Sequence, residues 1–395
     1  MDTVLAKTGS EIALRDPELD KPRVLIIVRS FDGDPAGQSA FDVASHLAAQ
    51  GVVSQVLSGG GRQIKSLLRR KVTHVQWDVP GDGPLGRLRA TSRITRLIRD
   101  NNINIVHVFG RVVPAAVRSA CTKTGAKMVV TVPGTYPVKG GREARRTRLL
   151  ARADHFIAPS TYVQNYLVDT LAAAPGSITQ IAPGIDMAHF NPAGVKGMRM
   201  IELARQQGIP EDHRIALMPA RLIWWKGQRG VIEAFGRLSE PNATLLIAGD
   251  SSLDPNYAND LEAQVEAAGM EAQVRFLDVV PDMPALYMLS DVVIEAPIQP
   301  VAFARTSVEA QAMGRPVVTS AVGSGPEAII EDETGWLAAP DDVDSIAAAL
   351  KEALNITAEG RKHLAFKARA HARAHFDMAD AMAATEAVYS DLLDL

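Results

Sequence analysis

Residues 297–316 read PIQPVAFARTSVEAQAMGRP, and this stretch determines how the rest of the chain can be arranged. A mostly apolar run at residues 291–294 precedes it and is typical of a buried strand. Prolines interrupt the first part of the stretch, as in a loop. Residues 306–312 are helix formers, and Gly314 and Pro316 end the helix that they predict. The pattern therefore predicts a strand, a loop and a short helix.

The predicted strand, loop and helix indicate a binding site for an anion. In an open α/β sheet, the loop after a strand and the first turn of the next helix present backbone N–H groups that have no partner. Glu309 lies about one turn into the predicted helix, so its side chain is expected to face the same pocket. The expected ligand is a phosphate, with Glu309 beside it.

The rest of the chain repeats this alternation of strands and helices. Residues 23–28, 53–57, 72–77, 103–108, 127–132, 155–158 and 178–181 predict the strands of the first half. Residues 214–219, 243–248, 274–277, 292–294 and 317–319 predict those of the second half. Helical patterns between them indicate two Rossmann-like halves with parallel sheets, and the chain from residue 341 onward is helical.

Composition restricts the class of protein. The 395 residues, 47% hydrophobic and 22% charged, are typical of a soluble protein of two or three domains. No apolar run approaches the roughly 20 residues that span a bilayer, and the first 21 residues lack the apolar core of a signal peptide. The single cysteine, Cys121, excludes an internal disulfide and is expected to be buried. We therefore expect a cytoplasmic protein.

The two halves differ in charge. Residues 1–190 contain 25 Lys and Arg against 15 Asp and Glu, a net of +10. Residues 191–395 contain 17 against 30, a net of −13. The basic half is suited to an anionic lipid, a polyanionic substrate or nucleic acid, and the acidic half argues against nucleic acid clamped along the whole molecule.

Two further loops follow predicted strands. Arg221 and Lys226 lie in the loop after residues 214–219, where two cations can converge on a diphosphate. A Lys and an Arg in one loop are more often solvated charges, but Glu309 in the same half favours a phosphate and sugar site. In the first half, Gly33 and Gly37 follow the strand at 23–28, but the spacing is not GxGxxG, so a dinucleotide site is not supported.

Several segments together resemble the retaining nucleotide-sugar glycosyltransferases with the GT-B architecture, group 1 or family 4. The resemblance covers nearly all of residues 22–395 and rests on residues 183–192, 221–227, 248–250, 308–318, 323–327 and 334–336. It implies an α/β fold of two facing Rossmann-like domains with parallel sheets and a C-terminal helical tail.

The patterns along the chain give a domain plan, and the resemblance assigns the roles of its two halves. We expect a flexible leader at 1–20, an acceptor-binding domain at 21–190 and a nucleotide-sugar-binding domain at 191–370. A C-terminal helix at 371–395 is expected to pack back on the N-terminal domain.

Roles for residues follow from the same resemblance. Arg221 and Lys226 hold the diphosphate and stabilise the departing nucleotide as catalytic residues, and Glu309 accepts hydrogen bonds from the ribose. The remaining donor contacts are Gly33, Gly37, Phe303, Ala304, Arg305 and Thr306. Neither a metal nor another cofactor is expected, because the two cations and a helix N-terminus supply the positive charge.

Three positions depart from the family pattern. Val301 stands where the family has a glutamate, Ala304 where it has a glycine, and Pro133 where it has a histidine beside the reacting sugar. A valine side chain cannot accept a hydrogen bond. Glu295 and Gln299 lie near the missing carboxylate but are most simply strand-end and loop residues.

Two interpretations follow from these departures. The first is a transferase with an altered sugar pocket, which we favour because both cations and Glu309 are present. The alternative is a catalytically silent GT-B-like protein that binds a nucleotide sugar or acts as a scaffold. A third option is another GT-B activity, such as sugar-phosphate transfer to a soluble acceptor.

The basic half indicates the acceptor. Arg142, Arg145, Arg148 and Arg152 lie in one predicted helix and can face an anionic membrane. A second predicted helix contains Arg87, Arg89, Arg93, Arg96 and Arg99. Aromatic residues are sparse among these cations, which argues against nucleic acid.

Position alone makes His107, Arg111, Tyr136 and Lys139 candidates for acceptor or sugar contacts, although His107 is equally a strand-end residue satisfied by backbone. The sequence thus predicts a cytoplasmic glycosyltransferase, peripheral to the inner face of the membrane. Its donor is a nucleoside-diphosphate sugar, its acceptor a lipid-linked or cell-envelope glycan, and transfer proceeds with retention.

Overall fold

The structure is a computed structural model that describes residues 21–78 and 83–395. The leader predicted at residues 1–20 lies outside the described residues, and so does the side chain of Arg142.

The first sheet has seven strands. They are β1 Val24–Ile27, β2 Ser54–Ser58, β3 Thr73–Gln76, β4 Ile105–Phe109, β5 Lys127–Thr131, β6 His155–Ala158 and β7 Ile178–Gln180. Their order is β3-β2-β1-β4-β5-β6-β7, and β1 pairs in parallel with both β2 and β4. Every residue of β1 is buried, as expected for a central strand covered on both faces.

The second sheet has six strands. They are β8 Arg214–Pro219, β9 Ala243–Ala248, β10 Val274–Leu277, β11 Val292–Glu295, β12 Val317–Ser320 and β13 Gly335–Ala338. Their order is β10-β9-β8-β11-β12-β13, and all neighbouring pairs are parallel. The strands run backwards along the chain from β10 to β8 and forwards from β11 to β13, so the strand order reverses between β8 and β11.

Helices connect the strands. In the first half they are α1 Pro35–Ala49, α2 Ile64–Arg69, α3 Pro84–Asp100, α4 Pro114–Thr124, α5 Gly141–Leu150 and α6 Thr161–Leu171. In the second half they are α7 Gly197–Gln207, α8 Gln228–Arg237, α9 Pro255–Ala267, α10 Met283–Leu289, α11 Arg305–Ala312, α12 Gly325–Ala328, α13 Val343–Asn355, α14 Ala358–Phe376 and α15 Met378–Leu392.

The core of the second half lies on both faces of its sheet. Along β11, Val292 and Ile294 belong to one buried cluster, while Val293 belongs to the cluster on the other face. This alternation follows from the two-residue period of a strand. Leu350 of α13 covers the first face, and Ala310 of α11 covers the second. The continuous apolar runs that predicted the strands are therefore explained by burial on both sides.

The chain divides into two compact units. The first comprises the described residues up to Val129 together with Thr385–Leu395, and the second is Val130–Ala384. All strands of the first sheet precede residue 190, and all strands of the second follow it. The domain limits expected from the sequence remain predictions.

Two expectations from composition concern the cysteine and membrane-spanning helices. Cys121 is buried on α4, as predicted. Among the described helices, none combines the length and apolar character needed to cross a bilayer.

Candidate functional site

The reversal of strand order in the second sheet defines where a ligand can bind. In open α/β sheets the binding crevice lies outside the carboxyl ends of the two strands at which the order reverses. Here those strands are β8 and β11. The loop after β8 contains Arg221 and Lys226, and the loop and helix after β11 contain Glu309. The topology therefore brings the three residues predicted from the sequence to one edge of the sheet.

The cation loop, residues 220–227, has a fixed backbone. It forms a single 3-10 turn at Trp224–Lys226 and ends at Gly227, whose φ of +85° is left-handed. The buried Gln228 donates from Nε2 to the carbonyl oxygen of Arg221 at 2.8 Å, and the hydroxyl of Tyr257 donates to Gln228 Oε1 at 3.3 Å. Side chains of α8 and α9 thus fix the start of the cation loop through these hydrogen bonds.

The cation loop packs directly against the segment that follows β11. The N–H of Ile298 donates to the carbonyl oxygen of Trp225 at 2.9 Å. A Cβ on Gly227 would lie only 2.1 Å from the carbonyl oxygen of Ala296, so only glycine fits there. The two loops at the reversal point therefore form one connected surface.

Lys226 is in an electrostatically unusual environment. Burial lowers the pKa of its ammonium group, the charge of Glu295 raises it, and the nearby charge of Arg221 lowers it, with a net lowering. The ammonium also lies 4.9 Å from the ring centroid of Trp225. Two like charges that repel each other in a half-buried loop are suited to an anion, which would relieve the repulsion.

Glu309 is held in place by a tyrosine. The hydroxyl of Tyr287, on α10, donates to Glu309 Oε2 at 2.8 Å. Tyr287 is fully buried, and burial together with the charge and hydrogen bond of Glu309 raises the pKa of its hydroxyl well above the usual range. Tyr287 therefore remains a hydrogen-bond donor, and Glu309 is fixed as an acceptor on the first turns of α11.

Glu295 is the last residue of β11, and its side chain is buried. Its Oε2 accepts hydrogen bonds from the N–H and the hydroxyl of Ser307, both at 2.8 Å. These bonds satisfy one backbone donor in the first turn of α11, where no intrahelical partner exists. Glu295 thus fixes the beginning of the helix that carries Glu309.

Phe303, Ala304, Arg305 and Thr306 are the other donor contacts predicted in this segment, and they do not share one environment. Phe303 and Ala304 line a cavity of about 430 Å³, together with residues that include Glu327, His371 and His375. Neither Arg221, Lys226 nor Glu309 lines that cavity. Thr306 instead donates from Oγ1 to the carbonyl oxygen of Pro219 on β8 at 3.4 Å. The guanidinium carbon of Arg305 lies 5.8 Å from the centroid of the Phe303 ring.

The departures from the family pattern have visible backbone consequences. Ala304 has a φ of −84°, so its conformation does not require a glycine. At Val301 the backbone is in close contact with Gly323, because a Cβ on Gly323 would lie 2.5 Å from both the nitrogen and the oxygen of Val301. The N–H of Ser324 also donates to the carbonyl oxygen of Val301 at 3.0 Å. These contacts therefore hold the backbone of residues 301–304, although Val301 and Ala304 replace the residues of the family pattern.

In the first unit the structure modifies the expectation for the glycine loop. The helix begins at Pro35, because Asp34 caps it and Pro35 suits its first turn. Gly37 consequently lies inside α1 rather than in the loop, and its N–H donates to Asp34 Oδ1 at 2.7 Å. Gly33 does lie in the loop, with a φ of +88°.

His107 and Arg111 end up in different surroundings. His107 is fully buried on β4, and its Nδ1 lies 2.6 Å from the hydroxyl of Tyr389 on α15. Burial lowers the pKa of His107 to about 3, so the ring is neutral at physiological pH. A buried ring held this way is part of the core of the first unit. Arg111, just after β4, is partly exposed at the carboxyl edge of the first sheet.

The other predicted contacts lie in the second unit. Tyr136 is partly buried, and its N–H donates to the hydroxyl of Tyr166 at 3.2 Å, while Lys139 is exposed. Arg145 and Arg148 are exposed on α5, and Arg152 is exposed just beyond its end. The guanidinium of Arg148 donates to the carbonyl oxygen of Val138 at 3.1 Å.

Sequence reasoning missed Tyr287 and the contacts of Glu327, and it considered Glu295 only as a strand-end residue. Tyr287 lies on a helix before β11 and gives no signal in the sequence. The direction of the Glu295 side chain cannot be read from a strand-end position. Glu327 belongs to a segment that carried the resemblance, but its contacts were not predicted: its carboxylate accepts the N–H groups of Thr161 and Tyr162, at 2.7 and 2.8 Å, at the start of α6.

No group of three or more His, Cys, Asp or Glu side chains among the described residues is arranged to hold a metal ion. The expectation that no metal or cofactor is needed remains a prediction.

Two family profiles match the chain. The Glycosyltransferase Family 4 profile matches residues 36–189, and the Glycosyl transferases group 1 profile matches residues 200–371. The chain belongs to the group 1 glycosyltransferase family. The second match contains the cation loop, Glu295 and Glu309, so the residues gathered at the reversal point lie within the family segment.

Known proteins similar to this group 1 chain agree with that assignment. The D-inositol 3-phosphate glycosyltransferase of Corynebacterium aurimucosum is 29% identical over 71% of this chain and 66% of its own length. That of Salinispora arenicola is 30% identical over 65% of this chain and 59% of its own. The chain therefore spans less than two thirds of the length of these relatives.

Solved structures show the fold. A glycosyltransferase from Rickettsia africae superposes with a TM-score of 0.89 at 24% identity, covering 94% of this chain and 99% of that one. Anabaena HepE, in complex with UDP and glucose, superposes with a TM-score of 0.82 at 20% identity, covering 94% and 100%. The predicted α/β GT-B fold is confirmed.

Proposed function

We propose that this group 1 glycosyltransferase moves a sugar from a nucleoside-diphosphate sugar to a lipid-linked or cell-envelope glycan, with retention. The observation that carries the proposal is the convergence of Arg221, Lys226 and Glu309 at the reversal point of the second sheet. Two cations there suit a diphosphate, and a fixed carboxylate suits the hydroxyl groups of a ribose. In transfer, the cations stabilise the negative charge that develops on the departing nucleoside diphosphate.

The donor and acceptor to test first come from the similar proteins. A UDP-sugar is the first donor, because Anabaena HepE was crystallised with UDP and glucose. D-inositol 3-phosphate is a soluble acceptor to compare with lipid-linked glycans, because the relatives are named for it. D-inositol 3-phosphate is an anion, and a basic first half suits an anionic acceptor.

The membrane part of the proposal depends on Arg145, Arg148 and Arg152, which are exposed along one stretch. Arginines within a Debye length of an anionic surface contribute about 1 kcal/mol each. We propose that they hold the protein at the inner face of the membrane, where a lipid-linked acceptor is available.

The test is a turnover screen. UDP-, GDP- and ADP-sugars are incubated with each acceptor class, and nucleoside diphosphate release and product mass are measured. The proposal predicts release that depends on acceptor for at least one donor, with the anomeric configuration kept. Lys226→Ala is expected to abolish most turnover, while Lys351→Ala, an exposed lysine of α13, serves as the matched control.

A second candidate function is favoured by one observation. The loop at 301–304 offers the valine side chain of Val301 where the family carries a carboxylate, so a nucleotide sugar can be bound without being transferred. Tight donor binding without turnover for any acceptor would support this silent binder and overturn transfer. Absence of binding for all three donor classes would overturn both.

A further inference from the structure

Glu295 occupies an unusual place for a carboxylate. It is 6% exposed at the end of β11, and its two hydrogen bonds, from the N–H and the hydroxyl of Ser307, both reach the same oxygen, Oε2. A buried carboxylate is costly unless hydrogen bonds or an opposite charge compensate it. The start of α11 supplies the hydrogen bonds, and its helix dipole favours negative charge there.

The opposite charge comes from the cation loop. Glu295 precedes Ala296, whose carbonyl oxygen packs against Gly227, and the Trp225 carbonyl accepts the N–H of Ile298 at 2.9 Å. These contacts fix the backbone on both sides of Lys226 relative to Glu295. The charge of Glu295 raises the pKa of Lys226, against the lowering by burial and by Arg221. Glu295 and Arg221 are the charged groups that act on this ammonium.

We propose that Glu295 is a positioning residue of the donor site: its carboxylate connects the start of α11 to the cation loop and keeps Lys226 charged for the diphosphate. The inference rests on the proposed function, because it assigns a role at the same site. It gives one buried side chain two tasks, since α11 carries Glu309 and the cation loop carries Lys226.

The two tasks can be separated by substitution. Glu295→Gln keeps the size of the side chain and an oxygen that can accept from Ser307, but it removes the charge. Ser307→Ala removes one hydrogen bond and leaves the charge. If Glu295 served only as a helix cap, both variants would act on stability alone, and the pH dependence of ligand binding would not change.

The primary measurement is the dissociation constant of UDP, GDP and ADP between about pH 6.5 and pH 9.5 for the wild type and both variants. Loss of a neighbouring opposite charge lowers a lysine pKa by about one unit. The pH at which affinity begins to fall should therefore move down by about one unit in Glu295→Gln. At the alkaline end this corresponds to about tenfold weaker binding. Ser307→Ala should keep the wild-type pH profile.

A non-titrating cation provides the rescue. In the double variant Glu295→Gln with Lys226→Arg, the guanidinium remains charged throughout this range, so the alkaline loss of affinity should disappear. An unchanged pH profile in Glu295→Gln, or a loss that Lys226→Arg does not rescue, would overturn the positioning role.

A second readout does not depend on any ligand. Lysine labelled with ¹⁵N at Nζ can be titrated by NMR in the ligand-free protein, with Lys226→Arg identifying the resonance. The resonance should titrate at lower pH in Glu295→Gln than in the wild type. If no nucleotide binds the wild type, the proposed function fails while this titration still tests the pairing. If nucleotides bind and the titration does not move, only the inference about Glu295 fails.

Discussion

The hydrogen-bonded pair of His107 and Tyr389 predicts that the first unit is sensitive to acid. His107 is fully buried on β4, Nδ1 lies 2.6 Å from the Tyr389 hydroxyl, and burial lowers the pKa of the imidazole to about 3 from 6.5. Between these values the unfolded chain binds a proton at this site and the folded chain does not. The part of the free energy of unfolding that is linked to His107 is therefore fully present well above pH 6.5, and it is lost as the pH falls towards 3.

The size of the effect follows from the pKa difference. Well below pH 6.5, one pH unit changes the free energy of unfolding by about 1.4 kcal/mol, and near pH 6.5 by about half of that. A fall from pH 6.5 to pH 4.5 therefore removes about 2 kcal/mol through His107 alone. His107→Asn removes the titrating ring and keeps a polar group of similar reach. The acid-dependent loss in this variant should be smaller than in the wild type by that amount.

Amide hydrogen exchange of β4 is the appropriate assay, because it reports the opening of this strand in a protein of more than one unit. Wild type, His107→Asn and His189→Asn are compared at pH 6.5 and pH 4.5, with His189 as an exposed control. Equal acid-dependent losses in wild type and His107→Asn would show that His107 is not the source of the acid sensitivity. A His107 ring that titrates near its ordinary pKa by NMR would show the same.

Three further predictions concern the second unit. Gly227→Ala should cost about 2 kcal/mol or more and weaken nucleotide binding, because of its left-handed φ and the nearby Ala296 oxygen. Gly197→Ala, with open space around it, is the control in thermal denaturation. Tyr287→Phe should weaken donor binding roughly tenfold in calorimetry by removing a hydrogen bond that orients the Glu309 carboxylate, and unchanged affinity would contradict this. Arg145, Arg148 and Arg152 replaced together by glutamine should lose salt-sensitive sedimentation with anionic vesicles, whereas retained sedimentation would exclude these residues.

The sequence predicted the strands well because their burial on two faces leaves continuous apolar runs. Residues 155–158, 214–219, 243–248 and 274–277 coincide with β6, β8, β9 and β10. The strand β13, Gly335–Ala338, was missed because four residues that begin with glycine give no such run. Pairing with β12 fixes its position at the edge of the sheet, and the sequence pattern around residues 335–338 gives no information about this pairing.

The candidate site was predictable in part for a similar reason. Residues in loops at the carboxyl ends of parallel strands meet at one edge, so Arg221, Lys226 and Glu309 could be grouped from the sequence. The direction of a side chain at a strand end could not be predicted. Glu295 points to the start of α11 and His107 to α15, and both partners are known only once the chain is folded.

The proposed role of Lys226 is to bind the diphosphate of the donor, and ligands that differ by one phosphate test this role. Calorimetry gives the affinities of UMP and UDP, with the GMP and AMP pairs in parallel, for the wild type, Lys226→Ala and the control Lys351→Ala. A charge-assisted hydrogen bond is worth about 1.5–3 kcal/mol, so the second phosphate should improve binding about 10- to 150-fold in the wild type and the control. Most of this gain should disappear in Lys226→Ala. An equal gain in all three proteins would contradict this role.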